Sequence, residues 1–359
     1  MTTAVDMVGV ESGGVISEDV MSELYNLSPV DRPLVDSIGS TTSHNPLKEF
    51  TDKELAAASA ANAYYQNQDL SAVDDTNFGL RYGNYHQIML KSIKMSTQGR
   101  ASQTTYDQDE YLLQVMDAQK ELKRDEEAAA VSRNAAVAEV KATTAPKMAG
   151  MATWAIHNTS RGTGAVDAVL NGATNAGGVP TTAPTAGNKR DLTETLIRAA
   201  IRGGYDDGAE FTHLMSTPTM IESISNYMFT SSARVATIQS SAPQGNRTMA
   251  GSGNGAGEGG VVAQGSVNMF VGNFGTVVLT PNRFMSTYTA ADTGDVVDVL
   301  LFDSRYPKMS YWVDYNTAPL SNNGLYDHSA VNVSATFIPG ATHAITTIAD
   351  ITPGNAVTA

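Results

Sequence analysis

Thr105-Tyr106-Asp107-Gln108-Asp109-Glu110-Tyr111-Leu112-Leu113-Gln114-Val115-Met116-Asp117-Ala118-Gln119-Lys120-Glu121-Leu122-Lys123-Arg124-Asp125-Glu126-Glu127-Ala128-Ala129-Ala130-Val131 opens a segment that reaches Val140 and meets no glycine or proline before Pro146. Asp107 has N-cap chemistry, and Glu110 follows at capping-box spacing. Nothing in the composition forces a stop, so the pattern predicts one helix over about 105–140. Leu112, Val115, Gln119, Leu122, Glu126 and Ala129 fall at alternating steps of three and four, apolar at first and thinning to alanine. About 35 residues at 1.5 Å each make a rod of roughly 50 Å, where globular helices average about 11 or 12 residues. Two readings fit: an ordinary surface helix or short coiled coil, and a spine on which the rest of the subunit hangs.

Working outward toward the N-terminus, residues 44–100 read as a two-stranded ribbon with a loose tip. The outgoing strand is His44-Asn45-Pro46-Leu47-Lys48-Glu49-Phe50-Thr51, followed by Leu55. On the returning strand Ile88, Leu90, Ser92 and Lys94 alternate with Met89, Lys91, Ile93 and Met95. A ribbon of this length is marginal alone in water, so it implies something to receive it. Residues 1–43 read as an arm. The first 31 residues hold six acids (Asp6, Glu11, Glu18, Asp19, Glu23, Asp31) and no base, and Pro29 and Pro33 bracket a short apolar segment.

Beyond the helix, Met148-Ala149-Gly150-Met151 leads to Trp154, one of two tryptophans. Residues 159–188 read as loop. Asp191 caps an expected helix to Arg202 with Leu192, Thr195, Leu196, Ala199 and Ala200 on one face and Gly203-Gly204 as its stop. Phe211–Ser216 reads as a buried strand, and Pro218 opens a helix to about Met228. Residues 230–266 are low in complexity. Strand character then dominates, at 269–271, 276–280, 296–302, 311–313, 331–337 and 343–348.

At 359 residues and 42% apolar content the chain can build a sizeable core. It has no cysteine, which excludes disulfides and thiolate metal sites. The first residues carry neither a basic nor an apolar signal region, and no apolar run is long enough to span a membrane, so neither secretion nor membrane insertion is expected. The net charge of −14 argues against direct binding of nucleic acid, whose affinity comes from neutralising phosphates.

Chemical motifs are scarce. Gly255, Gly257 and Gly260 form a GxGxxG within Gly251–Gly260. A dinucleotide site needs a strand before it and a helix after it, and here polar loop precedes and strand follows, so the run reads as flexible spacer. The six histidines (His44, His86, His157, His213, His328, His343) have no i,i+4 partner; His213 reads as a hydrogen-bonded core residue. Asp125-Glu126-Glu127, beside Lys123 and Arg124, reads as a solvated helix face. No catalytic residue, metal site or cofactor is expected.

The order of arm, ribbon, long helix, αβ unit and strands resembles the major capsid (major head) proteins of tailed bacteriophages, an α+β architecture often called the Johnson fold. The wording carries the resemblance further. It includes His44, Phe50-Thr51-Asp52 and Leu55; Arg81, Asn84-Tyr85, Gln87-Ile88 and Ser96-Thr97-Gln98; Lys120-Glu121-Leu122-Lys123-Arg124-Asp125 with Glu127; and Met148-Ala149-Gly150-Met151 with Trp154. It is nearest at Phe274-Gly275-Thr276-Val277-Val278 and Pro281-Asn282-Arg283-Phe284-Met285. The loop at 230–266 is longer and richer in glycine than that family's pattern, and the strands around Pro339-Gly340 carry less charge.

The resemblance implies an N-terminal arm (1–43), an extended loop (44–104), a peripheral domain (105–185) built on the spine, an axial domain (186–325), and final strands (326–359) returning to the peripheral domain. It implies a structural protein of the virion, made in the host bacterial cytoplasm. Its copies would assemble as hexamers and pentamers of an icosahedral head around double-stranded DNA, with scaffolding, portal or decoration proteins as further partners. The ribbon would lie over the next subunit. Asp107 to Glu127 carries a net charge of −5. Lys48, Lys53, Arg81, Lys91 and Lys94 of the ribbon are therefore expected to meet spine carboxylates such as Asp117, Glu121 and Asp125 across a subunit boundary. The competing reading leaves those lysines as solvated strand-edge charges. An extracellular or surface-layer structural protein is the second functional reading, and a nucleotide-dependent enzyme using Gly251–Gly260 is the remote third.

Overall fold

The computed structural model describes residues 28–67, 79–102, 109–172, 177–229 and 268–357. In chain order the elements are α1 (Pro33–Ser37), β1 (Gly39–Thr42), β2 (Leu47–Asp52), β3 (Leu80–Tyr85), β4 (Gln87–Ser96), α2 (Thr97–Ala101), α3 (Glu110–Val131) and α4 (Met151–Trp154). Then come β5 (Val169–Leu170), β6 (Pro180–Thr182), β7 (Arg190–Thr193), α5 (Glu194–Asp206), β8 (His213–Ser216), α6 (Pro218–Phe229), β9 (Met269–Gly272) and β10 (Gly275–Pro281). β11 (Tyr288–Thr289), β12 (Asp295–Phe302), β13 (Lys308–Pro319), β14 (Tyr326–Ile338), a 3₁₀ turn (Thr342–Ala344) and β15 (Ile345–Val357) complete it.

Two sheets organise these elements. The first runs β1-β13-β14-β4 and carries α3 on one face. The second runs β7-β15-β12-β8-β10-β9, with β11 paired to β12. The chain builds most of the first unit, crosses into the second, returns for β13 and β14, and crosses again for β15. Lys308–Pro319 pairs in the first sheet, although it falls within the 186–325 span expected to form one domain. β14 lies in the first sheet and β15 in the second. Its Ile345, Ile348, Ala349 and Ile351 are fully buried beside β12, itself buried from Val296 to Phe302. A strand apolar on both faces needs a central place in a covered sheet, and β15 has one between β7 and β12.

The long helix is shorter than its composition allows. α3 has 22 residues, roughly 33 Å, and is capped by Asp109, whose side chain accepts from Tyr111 N at 3.0 Å. Asp107 lies outside the described residues. At the far end the Ser132 backbone N–H and hydroxyl both donate to Ala129 O, at 3.3 and 2.8 Å, drawing the chain out of the helix. Val137 and Lys147 then exchange backbone hydrogen bonds at 3.0 and 3.1 Å, which turns the chain back across the helix end. A Cβ on Gly150 would stand 2.2 Å from Ser132 O, so this crossing requires glycine. The buried stripe is Ala118, Leu122, Glu126 and Ala129, approached by Tyr111 and Val115. Leu112, expected in it, is 56% exposed.

The returning strand of the ribbon is β3, which pairs with β2 from Leu47↔Tyr85 to Asp52↔Leu80. Residues 87–96, expected in that place, instead form β4 in the first sheet, along β14. The alternation explains this: Met89 and Ile93 are buried, while Ile88 and Leu90 are exposed on the opposite face. The ribbon base is anchored by Phe50 and Tyr82, whose rings lie 5.6 and 6.2 Å from that of Trp154. Buried Asn84 completes the joint, donating to Ala149 O (3.0 Å) and Phe337 O (2.8 Å) and accepting from Ala149 N (2.9 Å). α5 is capped by Thr193, because Asp191 lies in β7, and it runs through Gly203-Gly204 to Asp206. Gly204 is there for packing: a Cβ would stand 2.2 Å from the Phe211 ring. The buried face is Ile197, Ala200, Ile201 and Gly204.

Candidate assembly surface

An assembly subunit needs a rigid frame and an outer surface with unmet contacts. The frame centres on two adjacent carboxylates near the end of α3. Glu126 and Glu127 are both fully buried, which overturns their reading as part of a solvated face. Glu126 accepts from Arg32 Nη1 (3.1 Å), Tyr311 OH (2.6 Å) and Tyr315 OH (2.5 Å). Glu127 accepts from the backbone N–H groups of Leu34 (2.8 Å) and Val35 (3.0 Å) and from Asn282 Nδ2 (2.6 Å). α1 has no side-chain cap of its own, so Glu127 caps it from another element. The pair therefore ties the end of the arm, the spine, β13 and the segment after β10 into one joint.

Burial pushes the Glu127 carboxyl above the usual range, opposed by its three N–H donors. Burial, then the Glu126 charge, raises both tyrosine hydroxyls, so they stay protonated donors. Burial alone would lower the Arg32 guanidinium, but Glu126 and Asp36 raise it. A second buried network joins the two units. Tyr288 OH donates to Asp298 Oδ1 (2.6 Å) and lies 3.2 Å from Asp350 Oδ1, while the Arg133 guanidinium sits 3.8 Å above the Tyr288 ring.

Most of the charged residues expected at a subunit boundary find partners inside their own chain. Lys91 Nζ lies 3.4 Å from both Glu121 and Asp125 on α3. Asp125, then Glu121, raises the Lys91 ammonium above its usual value. This lysine lies on the face of β4 turned toward the helix. Arg81 pairs with Glu49 across the ribbon at 2.9 Å, and Asp117 pairs with Lys120 at 3.0 Å. Lys48 Nζ donates to Thr42 O at 3.0 Å, Lys94 Nζ stands 3.8 Å from the Tyr326 ring centre, and Lys53 is exposed. Lys91, one of the ribbon bases expected to meet spine carboxylates across a boundary, pairs with Glu121 and Asp125 within its own chain. Being half exposed, such pairs contribute only about 0.2–1 kcal/mol each.

The unmet surface is apolar. Leu55 is 88% exposed and Tyr64 62% on the ribbon, and Leu112 and Met116 are each more than half exposed on the outer side of α3. Sequence reasoning missed Arg32, Glu126, Glu127, Asn282, Tyr311 and Tyr315. The available signal was Glu126 lying on the helix's own buried stripe. Among the described residues no group of His, Asp or Glu is placed to hold a metal ion, and no helix is long and apolar enough to cross a membrane. The Gly251–Gly260 run lies outside the described residues.

The family described as SU10 major capsid protein matches residues 2–352. No curated protein sequence matches the chain. Among solved structures, the chain is similar to the holo-SrpI encapsulin complex of Synechococcus elongatus PCC 7942, with TM-score 0.52, 9% identity and 95% of each chain covered. It is similar to the capsid of a native GTA particle, with TM-score 0.51, 11% identity, and 95% of this chain and 97% of that one covered. It is also similar to a chain of Microbacterium phage Oxtober96, with TM-score 0.51, 10% identity, and 94% and 96% covered. At such identities these structures speak for the fold alone, an α+β fold of the HK97 type, while the family match spans nearly the whole sequence. The chain belongs to the SU10 major capsid protein family and is a structural subunit of a tailed-phage head.

Proposed function

We propose that the subunit works through geometry, its copies joining as hexamers and pentamers that close an icosahedral shell. The first sheet with α3 acts as the peripheral domain, and the second sheet with α5 and α6 as the axial domain around the five- and six-fold centres. The ribbon is the extended loop that lies over a neighbouring copy, and residues 1–43 are the arm. Double-stranded DNA is enclosed without being read, in keeping with a net charge of −14. Scaffolding, portal and decoration proteins are candidate partners.

The observation that carries this reading is the exposed apolar ribbon, with Leu55 almost fully in solvent on an element whose base is anchored to the body. Changing Leu55→Ser together with Tyr64→Ser tests it. The subunit is expected to keep its thermal midpoint and circular dichroism while particle assembly, followed by sedimentation, is lost. Normal particle yield from this variant would overturn the role given to the ribbon.

A further inference from the structure

Three parts of the chain meet where the ribbon leaves the body. The ribbon brings Asp52 and Glu54, the C-terminal end of α5 brings Asp206 and Asp207, and the turn between β14 and β15 brings His343. His343 sits between the others. Its Nδ1 lies 3.0 Å from Asp207 Oδ2, and its Nε2 contacts Glu54 Oε1. His157 stacks on it with ring centres 3.7 Å apart. Next to it, Thr342 donates through its backbone N–H and its hydroxyl to Asp52 Oδ2, both at 2.7 Å. Lys53 and Tyr306 also face this junction, and Tyr82 approaches through Thr342.

We propose that His343 is a proton-dependent latch: its charged ring bridges Glu54 and Asp207 and so pins the ribbon base to α5, and loss of the proton releases Glu54. The chemistry is a count of hydrogens. A neutral imidazole has one N–H and can serve one carboxylate; the other nitrogen then presents a lone pair to the second. Only the imidazolium donates to both. Asp207 is the better-held partner, because Asn158 Nδ2 also donates to it, at 2.5 Å. The Glu54 side chain is 66% exposed and free to turn to water.

The neighbours agree with a single proton on the stack. Burial first, then the charge of His343, holds His157 below the usual histidine value, so the second ring stays neutral. The hydrogen bond from His343 is the leading cause holding Asp207 below the usual carboxylate range. The signs set a window. A depressed carboxylate contributes above its unfolded value of about 4 and loses that contribution as pH falls through its folded value. The second N–H of the imidazolium leaves with its proton, so rising pH acts against the bridge to Glu54. The latch is therefore closed in mild acid and opens toward alkaline pH. A metal ion is not the bridge, since the two ring nitrogens point in opposite directions.

Hydrogen exchange of the full-chain protein tests this, read by mass spectrometry on peptides covering residues 50–57 and 204–210 between pH 5.5 and 8.5. Each rate is divided by the unprotected-chain rate at the same pH. Protection at 50–57 is expected to fall roughly two- to fivefold as pH rises, the scale of one partly exposed ion pair. His343→Gln and Glu54→Gln are each expected to flatten that profile. Glu54→Gln decides the matter if His343→Gln does not fold, because Glu54 is a surface residue. Protection that is independent of pH in the unaltered protein, or an unchanged slope in Glu54→Gln, would overturn the latch.

Discussion

Glu127→Ala is expected to destabilise the isolated subunit by roughly 3–5 kcal/mol, although it removes a charge from an acidic protein. The side chain is fully buried and accepts three N–H groups, two from the first turn of α1 and one from Asn282. Alanine leaves all three without an acceptor in a place water does not reach, and an unmet buried donor costs about 1–3 kcal/mol. Glu127→Gln retains one carbonyl oxygen but turns an NH₂ group toward other donors, so it should fall between the two. The loss is also expected to be local, with residues 28–38 becoming sensitive to proteolysis before the rest unfolds. Denaturant titration of disassembled subunits measures the first effect and limited proteolysis the second. A loss below about 1 kcal/mol in Glu127→Ala would mean that the carboxylate does not hold the arm.

Trp154→Ala should cost about as much, roughly 3–5 kcal/mol, by a different route. Trp154 is fully buried and is the floor on which Phe50 and Tyr82 of the ribbon rest. Its removal opens a cavity under both rings, Phe50 and Tyr82, by which the ribbon rests on the body. Trp154→Phe is the control. It keeps an aromatic face and deletes an indole N–H that has no hydrogen-bond partner, so its cost should be much smaller. Equal losses of stability in the two variants would show that the cavity is not what matters and that the ribbon is anchored elsewhere.

The architecture was legible where local pattern and tertiary demand agree. The strand at Phe211–Ser216, the Pro218 helix start and the strand runs from Met269 to Ile348 follow directly from apolar periodicity. So does the spine itself, though not its length. The sequence contains no helix breaker before Pro146, but the crossing of Gly150 over Ser132 ends α3 at Val131, and nothing local records a crossing made by residues almost twenty positions later. The strand assignment of 87–96 was right in type and wrong in partner, because alternation gives the buried face but not the neighbouring strand. Burial of Glu126 and Glu127 was hidden for the same reason. Their donors, Arg32, the α1 backbone, Asn282, Tyr311 and Tyr315, come from distant parts of the chain. Beside Lys123 and Arg124 the two acids look like surface. Lys91 was expected among several ribbon bases to meet spine carboxylates of another copy; within the chain it lies beside Glu121 and Asp125, and charge complementarity does not say which copy supplies a partner.

On the proposed reading, this chain closes a shell by laying its ribbon on a neighbour. Cryo-electron microscopy of particles assembled from the full chain tests it most directly. The expected result is a closed icosahedral shell in which the second-sheet unit surrounds the five- and six-fold axes and Leu55 and Tyr64 of each copy are buried against the next. A flat lattice, or a shell in which the ribbon touches only its own subunit, would contradict it.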